Sequence, residues 1–142
     1  MKESNWSMIA IDDGVEGKRL YRIMMEPHSD IDKNEFTENV SISWQFSEDG
    51  FPDNEMSEIL RTFENYLESM DDPDSNSFLV FAYTGYGKRE WSYQAKSYEA
   101  FMQELNDNLS DKPRFPISID HSHDPEWAYY NGVKEAIAGE ST

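Results

Sequence analysis

The chain has 142 residues, enough for one hydrophobic core and too few for two full-sized domains. Its 29 acidic residues stand against 12 basic ones, and the formal net charge of −17 repels phosphate backbones and anionic lipid surfaces, which argues against direct binding of nucleic acid or a membrane. Aromatic residues make up 14%, too many large apolar side chains for a disordered acidic segment, and the absence of cysteine excludes disulfides, thiol nucleophiles and thiolate metal sites.

From the N-terminus, Met1-Lys2-Glu3-Ser4-Asn5 is followed by no apolar run of the length a signal peptide or membrane span requires, so the expected location is a reducing cytoplasm. Trp6 to Ile11 and Leu20 to Met25 read as two strands of a hairpin joined across the Asp12-Asp13-Gly14 turn region. Further on, residues 40–46 alternate without a break, placing Val40, Ile42, Trp44 and Phe46 on one face and Ser41, Ser43 and Gln45 on the other. Gly50-Phe51-Pro52-Asp53 then leads into a helix from about Asn54 to Met70, with Met56, Ile59, Leu60, Phe63, Leu67 and Met70 at helical spacing.

Asp72-Pro73-Asp74 ends that helix, and Phe78 to Tyr83 is a short continuous apolar run that reads as a strand covered on both faces. Gly85-Tyr86-Gly87-Lys88 turns it back into Glu90-Trp91-Ser92-Tyr93-Gln94. Ser97 caps a second helix carrying Tyr98, Phe101, Met102, Leu105 and Leu109, and Ile117-Ser118-Ile119 is an alternating strand beyond Pro113 and Pro116. A last helix starts at Asp124-Pro125-Glu126, buries Trp127, Tyr130, Val133 and Ile137, and ends near Gly139.

From Val40 to Ile119 the order is strand, helix, strand, strand, helix, strand, the split βαβ succession of ferredoxin-like domains. The expected architecture is one α+β domain over residues 1–142: an N-terminal β-hairpin addition (1–26), a ferredoxin-like core (40–121) and a C-terminal helix (124–138). Its antiparallel sheet should carry helices mainly on one face. Such a fold normally leaves its second strand at an edge, so the apolar strand Phe78 to Tyr83 needs either the hairpin beside it or a partner over it.

The C-terminal half combines Gly87-Lys88-Arg89-Glu90-Trp91-Ser92-Tyr93, an amphipathic helix, a proline-flanked strand and Asp124-Pro125-Glu126-Trp127-Ala128-Tyr129-Tyr130. This succession resembles a bacterial family of unknown function, DUF695, best between Phe78 and Val133. The family is similar in layout to small acidic domains such as the regulator that inhibits a bacterial endoribonuclease. The resemblance implies a protein-binding regulator and carries no catalytic residue to this chain.

Residues 48 to 74 hold ten acids, Glu48, Asp49, Asp53, Glu55, Glu58, Glu64, Glu68, Asp71, Asp72 and Asp74, against Arg61. The functional expectation is a non-catalytic module that docks a basic protein through Glu58, Glu64, Glu68, Asp71, Asp72 and Asp74; the plainer one is a solvated helix face. No catalytic, cofactor or metal residue is assigned. The alternative is a small metal-assisted enzyme at Asp120-His121-Ser122-His123-Asp124, where a continued strand puts His121 and His123 on one side near Asp124. Gly85-x-Gly87 links strand to strand and so is a hairpin turn, not a phosphate loop. Asp30-x-Asp32-x-Asn34 and Asp72-x-Asp74-x-Asn76 echo calcium loops without the glycine and glutamate such loops need. The alternating positions Ser41, Ser43, Gln45, Glu90, Ser92, Gln94, Ser118 and Asp120 predict a polar, acidic open sheet face unsuited to stacking RNA bases.

Overall fold

The computed structural model describes residues 5–12, 18–26, 31–48 and 50–140. Strand β1 (Asn5–Asp12) pairs antiparallel with β2 (Lys18–Glu26), with Met8 opposite Arg22 and Ile9 opposite Tyr21. The Asp13-Gly14 part of the expected turn lies outside the described residues. A 3-10 turn at Lys33–Glu35, capped by the Asp32 carboxylate, leads into β3 (Glu38–Gln45). Helix α1 (Asn54–Tyr66) opens on Asp53, whose carboxylate accepts from the Met56 amide at 2.8 Å. It stops four residues short of the expected end, and a 3-10 turn at Glu68–Met70 carries the apolar periodicity onward.

Strands β4 (Ser77–Gly85) and β5 (Lys88–Ala95) form the expected hairpin. Tyr86 (φ 53°) and Gly87 (φ 77°) both take the left-handed conformation that a two-residue type I′ turn requires. Ser97 caps α2 (Tyr98–Leu109), its hydroxyl accepting from the Ala100 amide at 3.1 Å, and β6 runs from Ile117 to His123. In front of α3 (Ala128–Glu140), both Asp124 carboxylate oxygens cap, taking the amides of Ala128 and Tyr129 at 2.8 and 3.1 Å. The helix therefore starts later than the Asp124-Pro125-Glu126 signal suggests, because Trp127 sits at φ 60° and breaks the helical run. It then continues through Gly139.

All six strands form one antiparallel sheet in the order β1-β2-β4-β5-β3-β6. The fold class is α+β, as expected, but this is not the strand order of a four-stranded ferredoxin-like sheet. The hairpin is built into the sheet, with β2 pairing β4 so that Tyr21 faces Tyr83 and Ile23 faces Phe81. That pairing answers the question raised by the apolar strand: β4 is an inner strand.

The helices are divided two to one between the faces of the sheet. Helices α1 and α2 cover one face, packing Leu60, Phe63, Phe101 and Leu105 on Val40, Ile42, Trp44, Trp91 and Tyr93. Helix α3 covers the other, where Trp127, Tyr130 and Ile137 pack on Ile23, Phe78, Val80 and Phe81. Amphipathicity tells that a helix buries one side, not which face of a sheet receives it. The expected open polar face changes accordingly, for Ser41, Glu90, Ser92 and Gln94 are buried while Ser118 and Asp120 stay exposed. Burial of these polar groups is offset by hydrogen bonds: Asn39 Nδ2 donates to Ser92 Oγ (2.9 Å) and Gln94 Oε1 (3.1 Å), and Gln94 Nε2 donates to the Phe36 carbonyl (3.1 Å).

Candidate functional site: an acidic cleft beside the first helix

Register across the sheet places Arg22 of β2 opposite Ala82 of β4 and Ala82 opposite Trp91 of β5. Helix α1 lies over Trp91 but leaves Arg22 exposed, so a trough opens between the helix and the N-terminal hairpin. Its deeper part is a cavity of about 260 Å³ lined by Arg22, Glu64, Asn65, Leu67, Glu68, Asp71, Leu79, Trp91 and Tyr93. A second hollow of about 170 Å³ shares Arg22 and Glu64 and extends toward Met8, Leu20, Thr84 and Arg89.

One position beyond the buried Phe63, Glu64 tips off the apolar side of α1 into this trough. Its Oε2 accepts from the Trp91 indole at 2.7 Å, and its Oε1 lies 3.7 Å from the Arg89 guanidinium. Arg89 Nε also donates to Thr84 Oγ1 at 2.9 Å. Burial lowers the proton affinity of Arg89, which Glu64 opposes and Arg22 reinforces. The Asp71 carboxylate turns inward to accept from the Leu79 amide at 3.0 Å. Burial raises its pKa, and the Leu79 bond and Arg22 work the other way. Tyr93 forms the floor, its ring edge-on to Phe101 of α2, and burial together with the charges of Asp71 and Glu64 pushes its phenol well above the ordinary value.

Of the six acids singled out from sequence, Glu64, Glu68 and Asp71 meet around this cavity. Glu58 stands apart on the exposed side of α1, paired with Arg61 at 3.2 Å. Asp72 and Asp74 belong to the turn before β4, where Asp72 Oδ1 accepts from the Asp74 amide at 3.0 Å. Of the other acids in that run, Asp49 lies outside the described residues. Nothing in the sequence gives Arg22 or Arg89 a role at this site. Alternation did place Trp91 and Tyr93 on one face; what it lacked was the β2–β4 pairing that brings Arg22 alongside them.

The histidine cluster is assembled differently from the expectation. Strand β6 does continue, and His121 Nε2 and His123 Nδ1 meet the two carboxylate oxygens of Glu38 at 2.8 and 2.6 Å, with the His121 ring stacked 3.9 Å from Tyr98. Asp124 is turned away to cap α3, so the set His121, His123 and Asp124 is not brought together; among the described residues no group of three or more metal-ligating side chains is arranged to hold a metal. Of the calcium-loop echoes, Asp72 and Asn76 serve the turn, Asn76 bonding the Ser97 backbone on both sides, and Asp30 lies outside the described residues. No helix among the described residues is long and apolar enough to cross a membrane.

A model of the family of unknown function DUF695 matches residues 5–132. The chain belongs to the DUF695 family. In this DUF695 chain the match takes in both walls of the cleft and the Glu38–His121–His123 cluster, and it ends inside α3. Comparison with curated proteins finds no match.

Proposed function

We propose that this chain is a non-catalytic docking module that binds a basic protein through the acidic surface of α1 and the turn after it. The supporting observation is the convergence of Glu64, Glu68 and Asp71 on one concave surface, with Asp72 and Asp74 exposed in the turn that follows. Negative charge gathered on a concave surface raises the local concentration of a cationic partner and speeds its encounter, beyond what scattered charges achieve. The same reading places the protein in a reducing cytoplasm, on the lack of cysteine, and takes β3 to β6 as an enlarged ferredoxin-like unit on the succession of elements alone.

Affinity capture from the native cell at low and high salt tests the reading. The wild-type chain should retain a partner at about 50 mM salt and release most of it by about 500 mM, where screening shortens the reach of exposed charges. The double substitution Glu68→Lys with Asp74→Lys, at two exposed positions, should cut retention roughly tenfold and leave the circular-dichroism spectrum unchanged. Undiminished, salt-insensitive capture by that variant overturns the proposal.

A further inference from the structure

We infer that the cleft is a receptor for a single arginine side chain of the docking partner, its guanidinium lying between Glu68 and Asp71 and reaching the Tyr93 hydroxyl. The inference rests on the docking reading above and makes it specific.

Acids on a helix are commonly just solvated, so the weight falls on Tyr93. It is 2% exposed, it lines the cavity, and its hydroxyl has no hydrogen-bond partner among the described residues. That oxygen opens into the cavity and offers its lone pairs to an incoming donor. Asp71, Glu64 and Glu68 line the same cavity as Tyr93, and the charges of Asp71 and Glu64 add to burial in raising the pKa of its phenol.

Charge balance sets the occupant's charge. Glu64 is already met by Arg89 and by the Trp91 indole, which leaves Glu68 and Asp71 opposite Arg22. Arg22 has no carboxylate within ion-pair distance among the described residues; its guanidinium lies 5.7 Å from the centre of the Trp6 ring, on the hairpin side. The cleft therefore carries one surplus negative charge and suits one positive charge. Its acceptors point in from α1, from the turn after it and from the sheet. A planar guanidinium with five N–H donors meets such a set better than an ammonium. A cavity of about 260 Å³ accepts such a group with its methylene stem.

The probe is acetyl-Gly-Arg-Gly-amide, whose sole charge is the guanidinium, titrated against the full chain while the Trp91 indole N–H resonance is followed. Saturation with a Kd on the order of millimolar is expected, with roughly tenfold weaker binding of the lysine peptide and none of the citrulline peptide. Tyr93→Phe should weaken the arginine peptide roughly tenfold while the melting temperature holds or rises, since the hydroxyl gives up no internal bond. Failure to saturate, equal binding of citrulline, or an unchanged Kd in Tyr93→Phe overturns the arginine receptor. So does a fall in melting temperature in Tyr93→Phe, because the hydroxyl then has a structural partner. If the peptide fails while Glu68→Lys with Asp74→Lys still abolishes capture, only the arginine receptor falls; if capture is also unaffected, both readings fall.

Discussion

Glu38 shows how one side chain ties an edge strand to the sheet. Burial raises its proton affinity, but hydrogen bonds from His121, His123 and Thr37 outweigh that and hold its pKa at about 2, against an ordinary 4.5. A carboxylate with a depressed pKa in the folded state binds fewer protons there than when unfolded, so it stabilises the fold fully above about pH 4.5 and loses that contribution as the pH falls toward 2. Glu38→Gln should therefore lower stability by about 1 kcal/mol at pH 6, the scale of a charge-assisted bond near the surface. In urea titrations the gap from wild type should narrow as the pH falls below about 4.5 and close only below about pH 2, and a gap that does not narrow over that range refutes the assignment. Nothing in the sequence around His121 pointed to Glu38. They meet only through the β3–β6 register, in which Glu38 faces His123, 85 positions further along the chain. Trp127 is a parallel case: its helical spacing announced burial correctly, yet its left-handed backbone and its 2.8 Å bond to the Phe36 carbonyl depend on a distant loop.

At the level of elements, local periodicity revealed nearly every strand and helix, because burial on one side leaves its period in the sequence. It also revealed that β4 is covered on both faces. It did not reveal what lies beside β4, since pairing between Ile23 and Phe81 leaves no local trace. Nor did it show that the polar row Ser41, Ser92 and Gln94 is buried, because a polar residue satisfied by Asn39 and one facing water look alike in an alternating pattern. The hairpin thus changes from an addition into the element that closes the β4 edge and forms one wall of the cleft. Removing residues 1–26 should expose the N–H and C=O groups of β4 beside Val80 and Phe81, a strongly aggregation-prone edge. Size-exclusion chromatography with light scattering should find such a chain in large soluble aggregates or in the pellet. A monomer with a cooperative melt near the wild-type temperature would show that the hairpin is dispensable.

The whole molecule carries a formal net charge of −17, and among the described residues most acids have no ion-pair partner. Arg61–Glu58 and Lys112–Asp111 each join an exposed carboxylate to a neighbour in sequence, a geometry that contributes little to stability. Against them stands the mutual repulsion of the remaining acids, which acts over many pairs and disfavours the compact state. Raising the salt concentration from 0.1 to 1 M shortens the screening length from about 10 Å to about 3 Å and weakens both contributions. Repulsion is the larger, so the melting temperature should rise with sodium chloride by several degrees, about what 1 kcal/mol yields in a domain of this size. The same screening should loosen a basic partner, so fold stability and docking should respond to salt in opposite directions. A melting temperature that falls with salt would mean that attractive pairs dominate the surface. The molecule would then have no surplus negative field to offer a cationic segment, and the cleft would have to recognise its ligand through close contacts alone.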